Sequence, residues 1–212
     1  MAINFEILQQ YVPSSSLPIL EKWFNQRAFE LKITKKRVTK FGDFRASTKL
    51  LPNRISVNSN LNQYAFLITL THEFAHLLVW LQHQHKVKAH GIEWKTEFAT
   101  LMNVLLMKNV FPEHLKIVLH KHMKNPAASS ARDVNLIAEL KKYDAPSNLL
   151  TLNELEDGSI FTLNKKRVFK KGKKRRTRFI CKEIATKKEY LINGVAEVEL
   201  LIDASTSLNT SN

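Results

Sequence analysis

Residues 71–94 read THEFAHLLVWLQHQHKVKAHGIEW, five histidines and two glutamates in a stretch that otherwise has the apolar density of a buried helix. Everything from about Gln63 to Leu81 is compatible with one long helix, apolar nearly all round and therefore central in its domain. On such a helix His72 and His76 lie four residues apart, so their side chains project from one face, a single turn apart, and can share a metal ion. Glu73 projects beside them. The competing reading is a core helix with hydrogen-bonded histidines. Two arguments weigh against it. With 8 His and 14 Glu in 212 residues, a His-Glu-x-x-His arises by chance only about 0.02 times per chain. Three ionisable groups amid FLITLT and LLVWL are also costly to bury unless a metal or other partners satisfy them.

A catalytic zinc site needs a third protein ligand, and reach separates the candidates. His83 lies seven residues past His76, about 10 Å farther along a continuing helix, and cannot bind the same ion. His85 could do so only if the helix ended just after His76, against the run LLVWL. The segment from His83 to His90 can extend up to about 23 Å and so return alongside the helix, and Gly91 allows a close turn there. Glu93 or Glu97, on the helix that follows, is the alternative third ligand. The metzincin pattern is excluded, because it needs Gly at 79 and His at 82, where the chain has Val79 and Gln82.

The rest of the chain frames this site. At 212 residues and 44% apolar, it can bury a substantial core in one domain or in one domain plus a small appendage. The single cysteine, Cys181, excludes an internal disulfide and reads most simply as a core residue. The start, MAINFEILQQYVPSSS, lacks the features of a signal peptide, so a reducing cytoplasm is the expected compartment. No uninterrupted apolar run of about eighteen residues occurs, and no membrane span is expected. A net charge of +14 and a pI near 9.9 point instead to phosphate-bearing partners.

Along the chain, two short helices are expected over Ile3–Tyr11 and about Pro18–Glu30, with Ser16 as a cap. LKITKKRVTKFGDFRAST then reads as a hairpin turning at Gly42-Asp43, followed by a strand at Arg54–Asn58. Asn60 and Gln63 have the spacing of a capping box for the long helix. Further helices are expected at about Glu93–Asn109, after Pro112, and over Asp133–Lys142. His114, His120 and His122 read as solvent-exposed histidines. From GSIFTL onward the text is strand-like, with Phe161, Val168, Phe179, Ile180, Tyr190 and Leu191 as its expected core. The division is 1–125 metal-site domain, 126–149 linker with a short helix, 150–203 basic β module and 204–212 disordered tail.

That β module carries the densest charge. Lys165–Arg178 holds ten Lys or Arg in fourteen residues, and no acid occurs before Glu183. Lys170, Lys171, Lys173, Lys174, Arg175, Arg176 and Arg178 are therefore candidate nucleic-acid contacts, made to the backbone without base reading. Phe169 and Phe179 could stack on bases, but strand-like text favours the core for both.

THEFAHLLVW followed, after a histidine- and lysine-rich loop, by HGIEW closely resembles the SprT family, whose eukaryotic relatives include the Spartan protease. RISVNSNL also resembles the segment that precedes that family's active helix, and the likeness runs over roughly Leu17–Met123. The resemblance implies a zincin-like α+β fold with a buried HExxH helix and a small sheet. It implies one catalytic Zn²⁺ held by His72, His76 and His90, with Glu73 as general base for peptide hydrolysis, and Glu93 and Trp94 in support. Protein substrates, some bound to DNA, follow from the same resemblance. Many members carry a four-cysteine zinc ribbon after this domain. Here Thr162, Asn164 and Ile184 stand where cysteines would, and only Cys181 remains, so no second, structural zinc is expected. The alternative function is a nucleic-acid-binding or transcription-associated factor whose zinc site is structural or weakly active.

Overall fold

Alternating apolar and polar residues at Glu30–Thr34 (β1), Gly42–Arg45 (β2) and Arg54–Asn58 (β3) build a three-stranded sheet in the order β1-β3-β2. The computed structural model describes residues 3–37, 39–124, 126, 133–145, 149–163 and 166–202. The expected tail 204–212, residues 127–132 and 146–148 of the expected linker, Asn164 and Lys165 lie outside them. The chain divides into two compact units, 1–145 and 146–212.

In the first unit β1 runs parallel to β3 and β2 runs antiparallel to it. The expected hairpin is therefore absent, and Gly42 and Asp43 open β2, opposite Val57 and Ser56, instead of forming a turn. The cause lies in β3. Ile55 and Val57 are completely buried, which makes β3 the central strand, and Asn58 gathers the excursion between the other two. Its Nδ2 donates to the Arg37 and Lys40 carbonyls at 3.3 and 2.9 Å, and its backbone N–H donates to Phe41 O at 2.9 Å.

The inner face of this sheet packs on α3, Gln63–His83. The helix is capped by Asn62 rather than Asn60. Asn62 Oδ1 accepts from the Tyr64 and Ala65 N–H groups at 3.1 and 2.9 Å, satisfying two donors that the first turn leaves orphaned. By length and hydropathy α3 could cross a membrane, but 61% of its apolar window is buried by the rest of the fold. It is the core helix. Helices α4 (Ile92–Met107), α5 (Glu113–Met123) and α6 (Val134–Lys141) follow, and α4 lies against α3. Leu136 and Leu140 of α6 join the same core as Leu115 and Leu119 of α5.

The N-terminal helices are shorter than expected: α1 spans Phe5–Leu8 and α2 Leu17–Phe24. Ser16 makes no side-chain cap. Its hydroxyl donates to Pro13 O at 2.6 Å.

The second unit is a six-stranded antiparallel sheet in the order β4-β9-β5-β6-β7-β8. Its strands are β4 Leu150–Thr151, β5 Ile160–Leu163, β6 Arg167–Arg175, β7 Arg178–Glu183, β8 Glu189–Asn193 and β9 Glu197–Ile202. Phe161, Phe169, Phe179, Cys181, Ile192 and Val198 form its core with Leu152 and Leu155. Strand alternation decides which residues enter. On β7 Phe179 and Cys181 point inward, which leaves Ile180 half-buried, and on β8 Ile192 is inside while Leu191 is 46% exposed. Val168, Ile180 and Leu191 thus fall outside the buried core, Phe169 and Cys181 lie in it as expected, and Ile192 enters in place of Leu191. The whole molecule is α+β.

Candidate metal centre

Helix α3 ends at Gln84, whose φ of 51° turns the chain away from the axis. A short 3₁₀ turn at Gln84–Lys86 and an extended Val87 then carry the chain back to α4. Gly91 caps α4 at φ −70°, a conformation open to any residue. What it provides is room, since a Cβ there would lie 2.8 Å from Glu93 Oε2. This return sets His90 beside α3. The Nε2 atoms of His72 and His76 are 3.2 Å apart, those of His76 and His90 3.0 Å, and those of His90 and His72 3.3 Å.

Among the described residues these three form the group of His, Cys, Asp or Glu donors able to hold a metal ion. Neither Glu93 nor Glu97 joins it. His83 stays at the end of α3, and His85 is exposed, edge-on to Trp80 with ring centroids 4.4 Å apart. The donor set fits a cation. Zn–N bonds of about 2.05 Å in tetrahedral geometry require nitrogen separations of about 3.3 Å. Among three neutral imidazoles meeting at Nε2 one N–H can donate to a neighbour, but at least one pair must oppose lone pairs or crowd protons, and an ion at the centre removes that conflict. Burial favours the uncharged rings. It lowers the His72 pKa to about 3, with the charges of His76, His90 and His122 adding to the effect, and lowers His76 to about 4 and His90 below its usual value.

Trp94, completely buried, forms the floor. Its ring centroid is 4.5, 5.3 and 4.7 Å from those of His72, His76 and His90, it stacks on Phe98 at 5.0 Å, and its Nε1–H donates to His72 O at 3.4 Å. One aromatic side chain thus restrains all three rings.

Glu73 leaves α3 toward the edge strand β2. Its carboxylate accepts the Phe44 N–H and lies against Gly42, where an added Cβ would come within 2.6 Å of Oε1. Burial pushes the Glu73 pKa up to about 8, with Asp43 adding to the rise, while the Phe44 hydrogen bond, Arg37 and Lys40 oppose it. Gly42 escapes a sequence reading because Phe-Gly-Asp has the chemistry of a turn; its role appears only once β2 lies against α3. His122 was expected at the surface, but it is buried with Nδ1 2.8 Å from Asp133 Oδ2. His114 and His120 are exposed.

Residues 16–120, from just before α2 into α5, match the SprT-like family. The chain belongs to the SprT-like family. Zinc metalloprotease activity is associated with that family, and the matched region contains the whole histidine triangle and Glu73. No curated protein matches the chain, and no solved structure does.

The β module lies outside the matched region. Its β6–β7 hairpin turns at Arg176-Thr177, with Arg175 opposite Arg178, and Lys170, Lys173, Lys174, Arg175, Arg176 and Arg178 are exposed on it. Lys171 is not among them. It is only 4% exposed, its Nζ donates to Leu155 O at 2.5 Å, and it sits 4.0 Å from the centre of the Phe179 ring. A bulge between Lys171 and Lys174 shifts the register. Phe169 and Phe179 are core residues and offer no stacking platform.

Proposed function

We propose that the protein is a zinc-dependent peptide-bond hydrolase of zincin type, with His72, His76 and His90 holding the ion and Glu73 acting as general base. The observation that carries the reading is the convergence of three Nε2 atoms within 3.3 Å, two of them from the helix that also carries a buried carboxylate aimed at the edge of a sheet and the third from the segment that returns beside it. Zinc in that triangle would supply Lewis acidity, lowering the pKa of a bound water to about 7 and polarising a peptide carbonyl. Glu73 then takes a proton on its carboxylate from the attacking water and returns it to the departing amine nitrogen. The Phe44 N–H and the close wall at Gly42 fix the position of that carboxylate. Trp94 keeps the three imidazoles in register and excludes water beneath them.

The outward cations of the β6–β7 hairpin would place this site near nucleic acid, through backbone contacts that weaken steeply with salt. Substrates would then be proteins that share that nucleic acid.

The test is metal content together with cleavage of an unstructured protein such as casein. Wild type should carry one equivalent of zinc, and His90→Ala should lose it. Glu73→Gln should keep the zinc while cleavage falls by about 10²–10⁴-fold. Undiminished cleavage by Glu73→Gln would remove the hydrolase assignment.

A further inference from the structure

The three-stranded sheet has a second face, turned away from α3. Strand alternation places Leu31, Ile33, Phe44, Ile55 and Val57 on the inner face. Lys32, Thr34, Asp43, Arg45, Arg54 and Ser56 therefore take the outer one, with Glu30 at its edge opposite Arg54. No apolar side chain is among those six. From Glu30 to Arg54 the chain holds eight Lys or Arg and two acids, so this short segment supplies a large part of the charge of +14.

Three details mark the face as built for an anion. Arg45 and Arg54 are direct cross-strand partners, and like charges placed opposite each other destabilise a sheet. Arg37 reaches back over the face and is held by neutral acceptors. Its Nε donates to Asn58 Oδ1 at 2.7 Å and its Nη1 to Ser56 Oγ at 3.0 Å, so its orientation is fixed by neutral groups and no carboxylate is paired with it directly. Asp43 is already neutralised by Lys40 at 2.8 Å and Arg45 at 2.9 Å. Among the described residues no acid lies within ion-pair distance of Lys32, Arg37 or Arg54. Lys32, Arg37, Arg45 and Arg54 rim a shallow depression of about 170 Å³.

We infer that this outer sheet face binds the phosphodiester backbone of nucleic acid. Guanidinium groups match phosphate oxygens in a planar, two-pronged geometry that favours them over simple point charges. A protein partner would call for an aromatic or aliphatic anchor at its centre; the outward strand residues supply none, and the exposed Leu50 and Leu51 lie on the β2–β3 loop at the rim, so displacement by vesicles is one arm of the test. The site is distinct from the β6–β7 hairpin and belongs to the unit that holds the histidine triangle. Strand β2 touches Glu73 through Gly42 on one side and presents Arg45 on the other. Binding here does not depend on whether the triangle cleaves peptides.

The experiment is fluorescence anisotropy of a labelled 20-base-pair duplex with the full-length, zinc-loaded chain, over a series of salt concentrations. The variant K32Q/R45Q/R54Q leaves Arg37 and its strand-tying bonds intact. Its log K against log salt slope should fall by ~0.9 for each cation that meets a phosphate, about 2.7 in all. Affinity at 0.1 M salt should drop on the order of 100-fold, on top of any loss from neutralising the hairpin. The charge-preserving pair R45K/R54K should keep the wild-type slope, which separates charge from damage to the sheet. Wild-type affinity and slope in K32Q/R45Q/R54Q would overturn the inference, as would absence of duplex binding by wild type. It is also overturned if polyglutamate of equal charge, or phosphatidylserine vesicles, displace the duplex from a hairpin-neutralised variant as well as unlabelled duplex does.

Discussion

Gly42→Ala adds one methyl group to a residue that is not a catalytic group, and it should disable the site. Gly42 lies in an ordinary strand, so alanine fits the backbone there. The obstacle is space: the new Cβ would stand 2.6 Å from Glu73 Oε1, 2.7 Å from Glu73 Cγ and 2.7 Å from Thr69 Cγ2. Comfortable contact requires about 3.5–4.0 Å, so the Glu73 side chain must retreat by roughly 1 Å or the strand must move off the helix. Overpacking of this kind costs about 1–3 kcal/mol, which lowers the melting temperature of a unit this size by a few degrees. A displacement of about 1 Å in a catalytic group costs on the order of 100-fold in rate. The histidines are untouched, so zinc stoichiometry should stay at wild type. The assay pairs casein cleavage with metal content and a thermal melt, in Gly42→Ala and in Gly42→Ala/Thr69→Ser. The second variant removes Thr69 Cγ2 but keeps the hydroxyl that donates to Ala65 O at 2.7 Å. It should regain stability without regaining activity. Wild-type cleavage by Gly42→Ala would refute the assignment of Glu73 to this wall.

Trp94→Ala should destabilise the first unit by about 3–5 kcal/mol through the cavity it leaves and weaken zinc retention against a chelator, measured by competition with a zinc-sensitive dye. In the second unit, the hydrogen bond from Arg167 Nε to Glu183 Oε1 at 2.6 Å, seconded by Thr186, holds the Glu183 pKa down at about 2, against 4.5 for the free group. A depressed carboxylate stabilises above its unfolded pKa and loses that contribution as pH falls through the folded one. The β6–β7 amides should therefore lose their native NMR shifts between about pH 4.5 and 2, and Glu183→Gln should flatten that acid dependence. Lys171→Met should leave duplex binding unchanged while Lys170→Met weakens it, because only Lys170 faces outward; equal losses would contradict the burial of Lys171.

Much of this was legible in the chain because the relevant signals are local. The period of α3, the i, i+4 pair His72 and His76, and the alternation of the β-module strands depend on neighbours in sequence. His90 lay within loop reach, but nothing in its spacing chose it over Glu93 or Glu97. That choice depends on where the chain turns at Gln84, and glutamine carries no signal for a positive φ. The β1-β3-β2 order was hidden for a similar reason. A hairpin at Gly42-Asp43 satisfies local turn chemistry, whereas the observed sheet is decided by the burial of Ile55 and Val57 and by the long-range bonds of Asn58. Lys171 sits in a run of identical charges, and its burial follows from alternation with the inward Phe169 and from the Leu155 carbonyl that receives its ammonium, whereas charge alone made it look like its neighbours.

The placement of Glu73 links the fold to the chemistry. Alone in its buried setting the carboxyl would hold its proton at neutral pH, since burial lifts its pKa to about 8, and a protonated acid cannot act as a base. The histidines are biased in the complementary sense, since burial keeps them uncharged and their nitrogens available. A divalent cation suits both at once: neutral imidazoles are the form that coordinates it, and its charge favours the ionised carboxylate nearby. Removal of the metal should then couple to proton uptake near neutrality, where a helix with merely hydrogen-bonded core histidines would show no such coupling. The residues that looked costly to bury on α3 are, in this arrangement, each made usable by the same ion.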